Sequence, residues 1–254
     1  MKIPQEPSAA ASKGTLVHAA LELLMQREPD HRTLQNALSD LDTARKKLAS
    51  DPDFTGLDLT ATEWDKFHAD AAALVHKYFE LEDPKTIRPV GLEMRVSAQI
   101  GNVRLRGIID RLELDNNDDL VITDYKTGRA PPARFAEKRM DGVHIYAALV
   151  EAEQGKRPVR AQLLFLADPV AVVTNISQQT ITRVERSTNA VWSAIQTATE
   201  KDDFRPSTSK LCDYCSYQAY CPEFGGNPEA ALALLNPPVT GATRPTLATP
   251  GQAS

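Results

Sequence analysis

At 254 residues the chain is long enough for one sizeable domain with additions, or for two small ones. Charged residues at 25% and apolar residues at 42% are ordinary for a globular protein, and the net charge of −5 excludes the global basic excess that advertises nucleic-acid binding. No apolar run approaches the roughly 18 residues of a membrane span, and the opening MKIPQEPSAAASKG lacks the apolar core of a secretory signal, which points to the cytoplasm.

Residues 1–12 read as a linker. From Gly14 the run GTLVHAALELLMQRE predicts a helix, with Leu16, Ala20, Leu23 and Leu24 as an apolar stripe that Val17, Leu21 and Met25 widen. A helix apolar on most sides is buried, so His18 is expected near or inside the core. On the residues alone it reads as a structural histidine. Residues 31–82 read as a helical insertion, where Trp64, Phe67, Ala71, Leu74, Val75 and Tyr78 recur at helical spacing as packing core. His68 and His76 are surface or packing residues.

Asp83-Pro84 closes the helical region, and strand character begins at Arg88. GLEMRVSAQI alternates: Leu92, Met94, Val96, Ala98 and Ile100 fall on one side, Glu93, Arg95, Ser97 and Gln99 on the other. After a Gly101-Asn102 turn, the stretch 106–129 (RGIIDRLELDNNDDLVITDYKTGR) holds two apolar, β-branched runs around Asp115-Asn116-Asn117-Asp118-Asp119. This is the pattern of a β-hairpin centred on Asn117. That centre sets Asp110 opposite Asp124, where Cβ atoms lie about 4.5–5.5 Å apart and like charges are destabilising. Alternation places Asp124, Lys126, Ile108, Leu112, Leu120 and Ile122 on the face of Asp110, and Tyr125 on the other. Buried charge is costly unless paired or metal-bound. The residues alone leave three readings: Lys126 bridging two aspartates, a register one residue off that separates them, or a divalent cation held by carboxylates as hard oxygen ligands.

After Lys126, TGRAPPARFAEKRM carries Arg129, Arg134, Lys138 and Arg139 against one acid, Glu137. The cluster reads either as a solvated loop and helix start or as a grip on a phosphate backbone. One helix is expected from about Arg134 to Glu153, then strands over 157–167 and 171–177 around Asp168-Pro169 that complete a mixed sheet. A last helix over about 178–201 holds Val184, Val191, Trp192 and Ile195, and residues 227–254, rich in Ala, Pro, Thr and Gly, read as a disordered tail.

The three cysteines all lie in LCDYCSYQAYCP, as Cys212-x2-Cys215-x5-Cys221-Pro222. An odd, clustered set is no disulfide framework and points to metal or cluster chemistry. Zinc and [4Fe–4S] sites both want four ligands, and a terminal Cys-Pro is common in cluster motifs. Tyr214, Tyr217 and Tyr220 are read as packing residues, with base stacking as the alternative. A zinc-ribbon interaction protein would account for the cysteines but not for the hairpin.

The pattern D-x13-DYK, formed by Asp110 and Asp124-Tyr125-Lys126, resembles the PD-(D/E)XK nuclease superfamily, in particular the RecB/AddB-like nucleases and the CRISPR-associated iron–sulfur exonucleases. The resemblance spans about residues 13–226. It implies an α/β, restriction-endonuclease-like fold, a mixed β-sheet flanked by helices, with the helical insertion and a C-terminal cysteine-cluster region at 212–221. In that family a G-x-x-x-H helix supplies a metal-binding histidine, matched here by Gly14 and His18. His18, Asp110 and Asp124 would then bind Mg²⁺ or Mn²⁺, with the Tyr125 backbone carbonyl and Glu93 as further candidate ligands. Lys126 would orient the attacking water and stabilise the charge of the transition state.

The family's Q-x-x-x-Y falls on Gly142 and Tyr146, so the tyrosine matches as a candidate catalytic residue and the glutamine does not. His144 is the candidate stand-in for contacting DNA, and Arg129, Arg134, Lys138 and Arg139 are candidate DNA-binding residues. The cysteines match the C-terminal trio of the iron–sulfur members, implying a [4Fe–4S] cluster on Cys212, Cys215 and Cys221 whose fourth, upstream ligand is absent from this chain. Residues 1–12 would then be the remnant of a longer N-terminal segment. The implied activity is a metal-dependent DNA exonuclease of repair or recombination, acting at a single-stranded end with a helicase as candidate partner. The competing reading is a non-catalytic iron–sulfur DNA-binding module associated with a helicase, for which Gly142, the incomplete cysteine set and the acidic charge leave room.

Overall fold

The computed structural model describes residues 7–235; residues 1–6 and 236–254, and with them parts of the expected linker and tail, lie outside the described residues. The chain divides into two compact units, residues 7–203 and a second unit that includes the chain from residue 204 onward.

The larger unit opens with α1 (Ala9–Gln26), which starts ahead of Gly14 because Ala9, Ala10 and Ala11 extend the helix backwards. Its Leu16, Val17, Ala20, Leu21 and Leu24 are buried against α2 (Leu34–Leu48) and α4 (Ala61–Leu81), with the short α3 (Pro52–Thr55) between them. Thr60 and Glu63 cap α4 reciprocally, satisfying two N–H groups that a helix start leaves open. Arg27 donates two hydrogen bonds to Asp40, at 2.8 and 2.6 Å, fixing the end of α1 on α2.

Five strands follow: β1 (Arg88–Ile100), β2 (Val103–Leu114), β3 (Leu120–Lys126), β4 (Arg160–Phe165) and β5 (Val170–Asn175), in the spatial order β1-β2-β3-β4-β5. All neighbours are antiparallel except β3 and β4, which are parallel. A parallel pair needs a crossover, and here α5 (Ala133–Arg139) and α6 (Asp141–Gln154) supply it. The single helix expected from Arg134 to Glu153 is therefore two, broken at the buried Met140. The last helix of this unit, α7 (Gln178–Glu200), buries Val184 but leaves Val191 and Ile195 61% and 44% exposed.

The β2–β3 register pairs Arg111 with Thr123, Leu112 with Ile122, Glu113 with Val121 and Leu114 with Leu120, symmetric about Asn117 as the turn predicts. The expected alternation, however, does not run unbroken. Met94, Val96, Ala98 and Ile100 pack with α6, whereas Leu92 packs on the side of α1. Along β2, Leu105 and Ile109 face α6, and beyond Asp110 so do Leu112 and Leu114. Both strands thus exchange faces at Glu93 and Asp110, and Glu93 has the positive φ of 43° that turns its strand over. Ile108 is consequently 41% exposed, and Ile109 takes the core place expected for it.

The second unit is built from short 3-10 turns, Lys210–Tyr214, Gln218–Tyr220 and Pro222–Phe224, and the helix α8 (Pro228–Leu235), which occupies the start of the stretch read as a tail. Tyr214 is 87% exposed, so it does not pack over the cysteines as expected. Among the described residues no helix is long and apolar enough to cross a membrane.

Candidate active site

α1 delivers His18, and the glycine one turn earlier explains how it gets close. A Cβ on Gly14 would lie 3.3 Å from Thr127 Oγ1, in the segment leaving β3. The His18 ring stands edge-on to Tyr125, with centroids 5.9 Å apart, and its Nδ1 lies 3.4 Å from Asp110 Oδ2. The same Asp110 oxygen accepts from the Tyr125 backbone N–H at 2.7 Å. Glu93, turned by its left-handed backbone, completes the group: one ligand atom each of His18, Glu93 and Asp110 lies within 4.8 Å of the others.

Asp124 stands outside that trio. It is buried, and Lys126 Nζ lies 2.5 Å from its Oδ2. The lysine thus sits on one aspartate rather than bridging both, and Asp124 Oδ2 receives no hydrogen bond of ordinary geometry. Burial raises the Asp110 carboxyl above the usual range; the charge of Asp124 adds to this, while His18, the Tyr125 N–H and Lys126 oppose it. Burial also raises Glu93, helped by Asp110 and, further off, Glu22 and Asp124.

Two carboxyls made reluctant to ionise, an imidazole beside them and a nearby buried oxygen lacking a good donor fit a hard divalent cation. Its charge would cancel the repulsion, and its preference is for oxygen with some nitrogen. Glu93, a secondary candidate on sequence, is a full member of the group, and only its face exchange brings it there. Nothing in the local sequence signals that exchange, because Glu is not a residue that invites positive φ.

Tyr146 approaches from α6. It packs so closely on β2 that a Cβ on Gly107 would be 2.7 Å from its Cε1. Burial raises its phenol, and the charges of Asp124, Asp110 and Glu93 raise it further, so the hydroxyl stays protonated beside the carboxylates. Next to His18, on the α1 and α4 side of the sheet, Tyr125 Oη accepts from the fully buried Arg111 at 2.7 Å. Arg111 also pairs with Glu82 and Glu113.

The remaining candidates are spread more widely. Arg129, Arg134, Lys138 and Arg139 are exposed, and the Arg134 guanidinium stacks 4.8 Å from the Phe135 ring centroid. His144 is 3% exposed, and its Nδ1 accepts from Arg183 at 2.8 Å, since arginine can only donate. Its burial between α6 and α7 removes it as a stand-in for the missing glutamine. A side chain at Gly142 would meet nothing within 4 Å. In the second unit, Cys212 Sγ accepts from the Ser209 N–H at 3.4 Å and Cys215 is exposed. The chain has three thiols where a [4Fe–4S] cluster takes four, and among the described residues the sulfurs form no convergent ligand group. The cysteines present do not fit that cluster.

A mixed sheet with helices on both faces and carboxylates at the open end of its central hairpin defines the restriction-endonuclease-like class. The family model of the PD-(D/E)XK nuclease superfamily matches residues 1–222, and the chain belongs to that superfamily. It is a nuclease, a hydrolase of phosphodiester bonds, in a group that generally uses divalent metal ions. Among solved structures, a candidate exonuclease from Eubacterium rectale is 11% identical with a TM-score of 0.49, over 84% of this chain and 76% of that one. The structure of SSO0001 is 17% identical with a TM-score of 0.35, over 80% and 84%. Neither likeness is close enough to carry an argument about function. No curated protein matches the chain.

Proposed function

We propose that the chain is a Mg²⁺- or Mn²⁺-dependent deoxyribonuclease working from a strand end in DNA repair or recombination. The observation that carries the metal-dependent reading is the convergence of His18, Glu93 and Asp110 beside the Lys126–Asp124 pair. End-directed cleavage and the repair role rest on the likeness of G-x-x-x-H and D-x13-DYK to the RecB/AddB-like nucleases.

His18, Glu93 and Asp110 would hold the cation, with Asp124 and the Tyr125 carbonyl as further candidate ligands. When bound, the ion polarises the phosphate and lowers the pKa of an attacking water. Lys126, steered by Asp124, donates to the water and to the phosphate oxygens as negative charge grows on them. Tyr146, held protonated, offers a second donor from the opposite side of the hairpin. Exposed Arg129, Arg134, Lys138 and Arg139 would grip the backbone after β3. A pure binding module would have no use for three converging ligands and a charged lysine at one point.

The test is cleavage of end-labelled single- and double-stranded DNA in Mg²⁺, Mn²⁺ or EDTA. Cleavage should need the metal, and Lys126→Met should lower it at least about 10²-fold while Mn²⁺ binding, followed by calorimetry, persists. Full activity in EDTA, or in Lys126→Met, would refute the assignment.

A further inference from the structure

The face exchange at Glu93 and Asp110 has a second effect, on the half of the β1–β2 hairpin beyond the metal group. There the hydrophobic positions face α6 and α7, and the opposite face is left to solvent. Six residues occupy it in three cross-strand pairs: Arg95 with Ile108, Ser97 with Arg106, and Gln99 with Arg104. Three are arginines, all exposed, none holding a hydrogen bond or ion pair among the described residues, and no position is acidic. Ser97 Oγ, opposite Arg106, is buried and has no hydrogen-bond partner. A hollow of about 390 Å³ opens between Arg95, Ser97 and Arg106, with Glu153 as the one acid on its wall.

Charges on outer strands commonly guard against edge-to-edge pairing, but that need is met by either sign. It does not account for three unpaired arginines and no acid on one face of a chain whose net charge is −5. Nor is the position arbitrary. Arg95 lies two residues from Glu93, and Arg106 and Arg104 lie four and six residues from Asp110. At about 3.3 Å per residue the row therefore starts at the metal group and runs about 20 Å away from it. Unpaired guanidiniums at regular spacing match a polyanion with regularly spaced phosphates.

We infer that the solvent face of the β1–β2 hairpin, carried by Arg95, Arg104 and Arg106, is a track that holds the phosphate backbone of the nucleic-acid strand on one side of the cleavage point. The identity of the polyanion rests on the nuclease reading above; the row itself does not. The track is separate from the basic segment after β3, so a strand crossing the metal group would be held on both sides.

The experiment is binding of fluorescently labelled single-stranded 20-mer and 4-mer oligonucleotides, in EDTA, as a function of salt. Removing three phosphate contacts should lower the magnitude of the slope of log affinity against log salt by about 2 on single strands. The Arg95→Gln/Arg104→Gln/Arg106→Gln variant should show that drop and bind the 20-mer roughly ten- to a hundredfold more weakly at 150 mM salt, with little change for the 4-mer. Its Mn²⁺ affinity and melting temperature should stay those of the wild type, and Arg106→Lys, which keeps the charge, should keep the slope. Lys46→Gln/Lys47→Gln, a loss of exposed charge on α2, should change nothing. An unchanged slope in the triple variant, an equal loss in the α2 variant, or wild-type binding to polyglutamate as tight as to the 20-mer overturns the inference and leaves the nuclease reading standing. Arginine-dependent binding without cleavage in Mg²⁺ or Mn²⁺ sinks the nuclease reading and keeps the track. A wild-type protein that binds no nucleic acid refutes both.

Discussion

Asp110 is held by the peptide that separates Asp124 from Lys126: the Tyr125 N–H donates to Asp110 Oδ2 at 2.7 Å. The β2–β3 ladder ends one residue earlier, at Arg111 and Thr123, so a side chain here takes up a backbone donor where strand pairing stops. The side chain of the same residue is tied to β2 as well: the Tyr125 hydroxyl accepts from Arg111, the neighbour of Asp110, also at 2.7 Å. The two strands that carry the site are thus clamped twice, through the Tyr125 peptide and through its side chain.

Arg111 anchors the second clamp, and removing it leaves Glu82 and Glu113 facing each other without their cation. Breaking a buried pair by deleting one partner costs about 3–5 kcal/mol. Arg111→Met should therefore lose that much in urea unfolding, and Glu113→Gln added to it should recover part. A loss under 1 kcal/mol would show the network to be incidental.

The pH dependence of the metal-free protein follows from Asp110 and Glu93, both raised by burial. A carboxyl with a raised folded-state pKa holds its proton more tightly when folded. Its contribution is complete below the unfolded value of about 4 and is lost as pH climbs through the folded one. In EDTA the melting temperature should thus fall from pH 4 towards neutrality, against the usual direction for paired carboxylates. Asp110→Asn should flatten that fall, raise the pH 8 midpoint by about 2–4 °C, and abolish the upward shift that Mn²⁺ gives the wild type. A wild-type midpoint that rises through this range in EDTA would count against the assignment.

Glu93 separates strain from ligation. Its φ of 43° is a conformation that costs a non-glycine residue about 1–3 kcal/mol. Glu93→Gly should leave the metal-free protein as stable as the wild type or up to about 1 kcal/mol more so, while Glu93→Gln keeps the strain. Both should weaken Mn²⁺ binding at least tenfold by calorimetry. Tight binding in either variant would remove Glu93 from the ligand set.

Gly107 is where β2 admits Tyr146. A methyl group there would sit 2.7 Å from the ring, so Gly107→Ala should cost about 1–3 kcal/mol and reduce cleavage as the phenol is displaced. Tyr146→Ala in that background should restore stability but not activity, a coupling that a double-mutant cycle reads directly.

The hairpin was legible because the Asp/Asn turn fixes a centre and the spacing of Asp110 and Asp124 about Asn117 does the rest. The ordering of sheet and helices followed equally from periodicity and from turn residues such as Gly101-Asn102. Three things were hidden. The face exchange depends on a left-handed glutamate, for which composition offers no cue. The break at Met140 has no proline or glycine at the break itself to mark it. The burial of His144 depends on Arg183 and α7, contacts distant in sequence that local reading does not reach. Local sequence consequently favours Asp124 over Glu93 as a ligand, although it is Glu93 that joins His18 and Asp110.

The crossing-over of the two strands also sets a rule for how this hairpin can grow. Adding two residues to each arm near the Gly101-Asn102 tip preserves which side chains look outward, so the molecule could gain reach while its ion-binding end stays put. A single added residue in one arm would instead push guanidinium groups against α6 and strand valines in water. Length variants that fold should accordingly come in even steps.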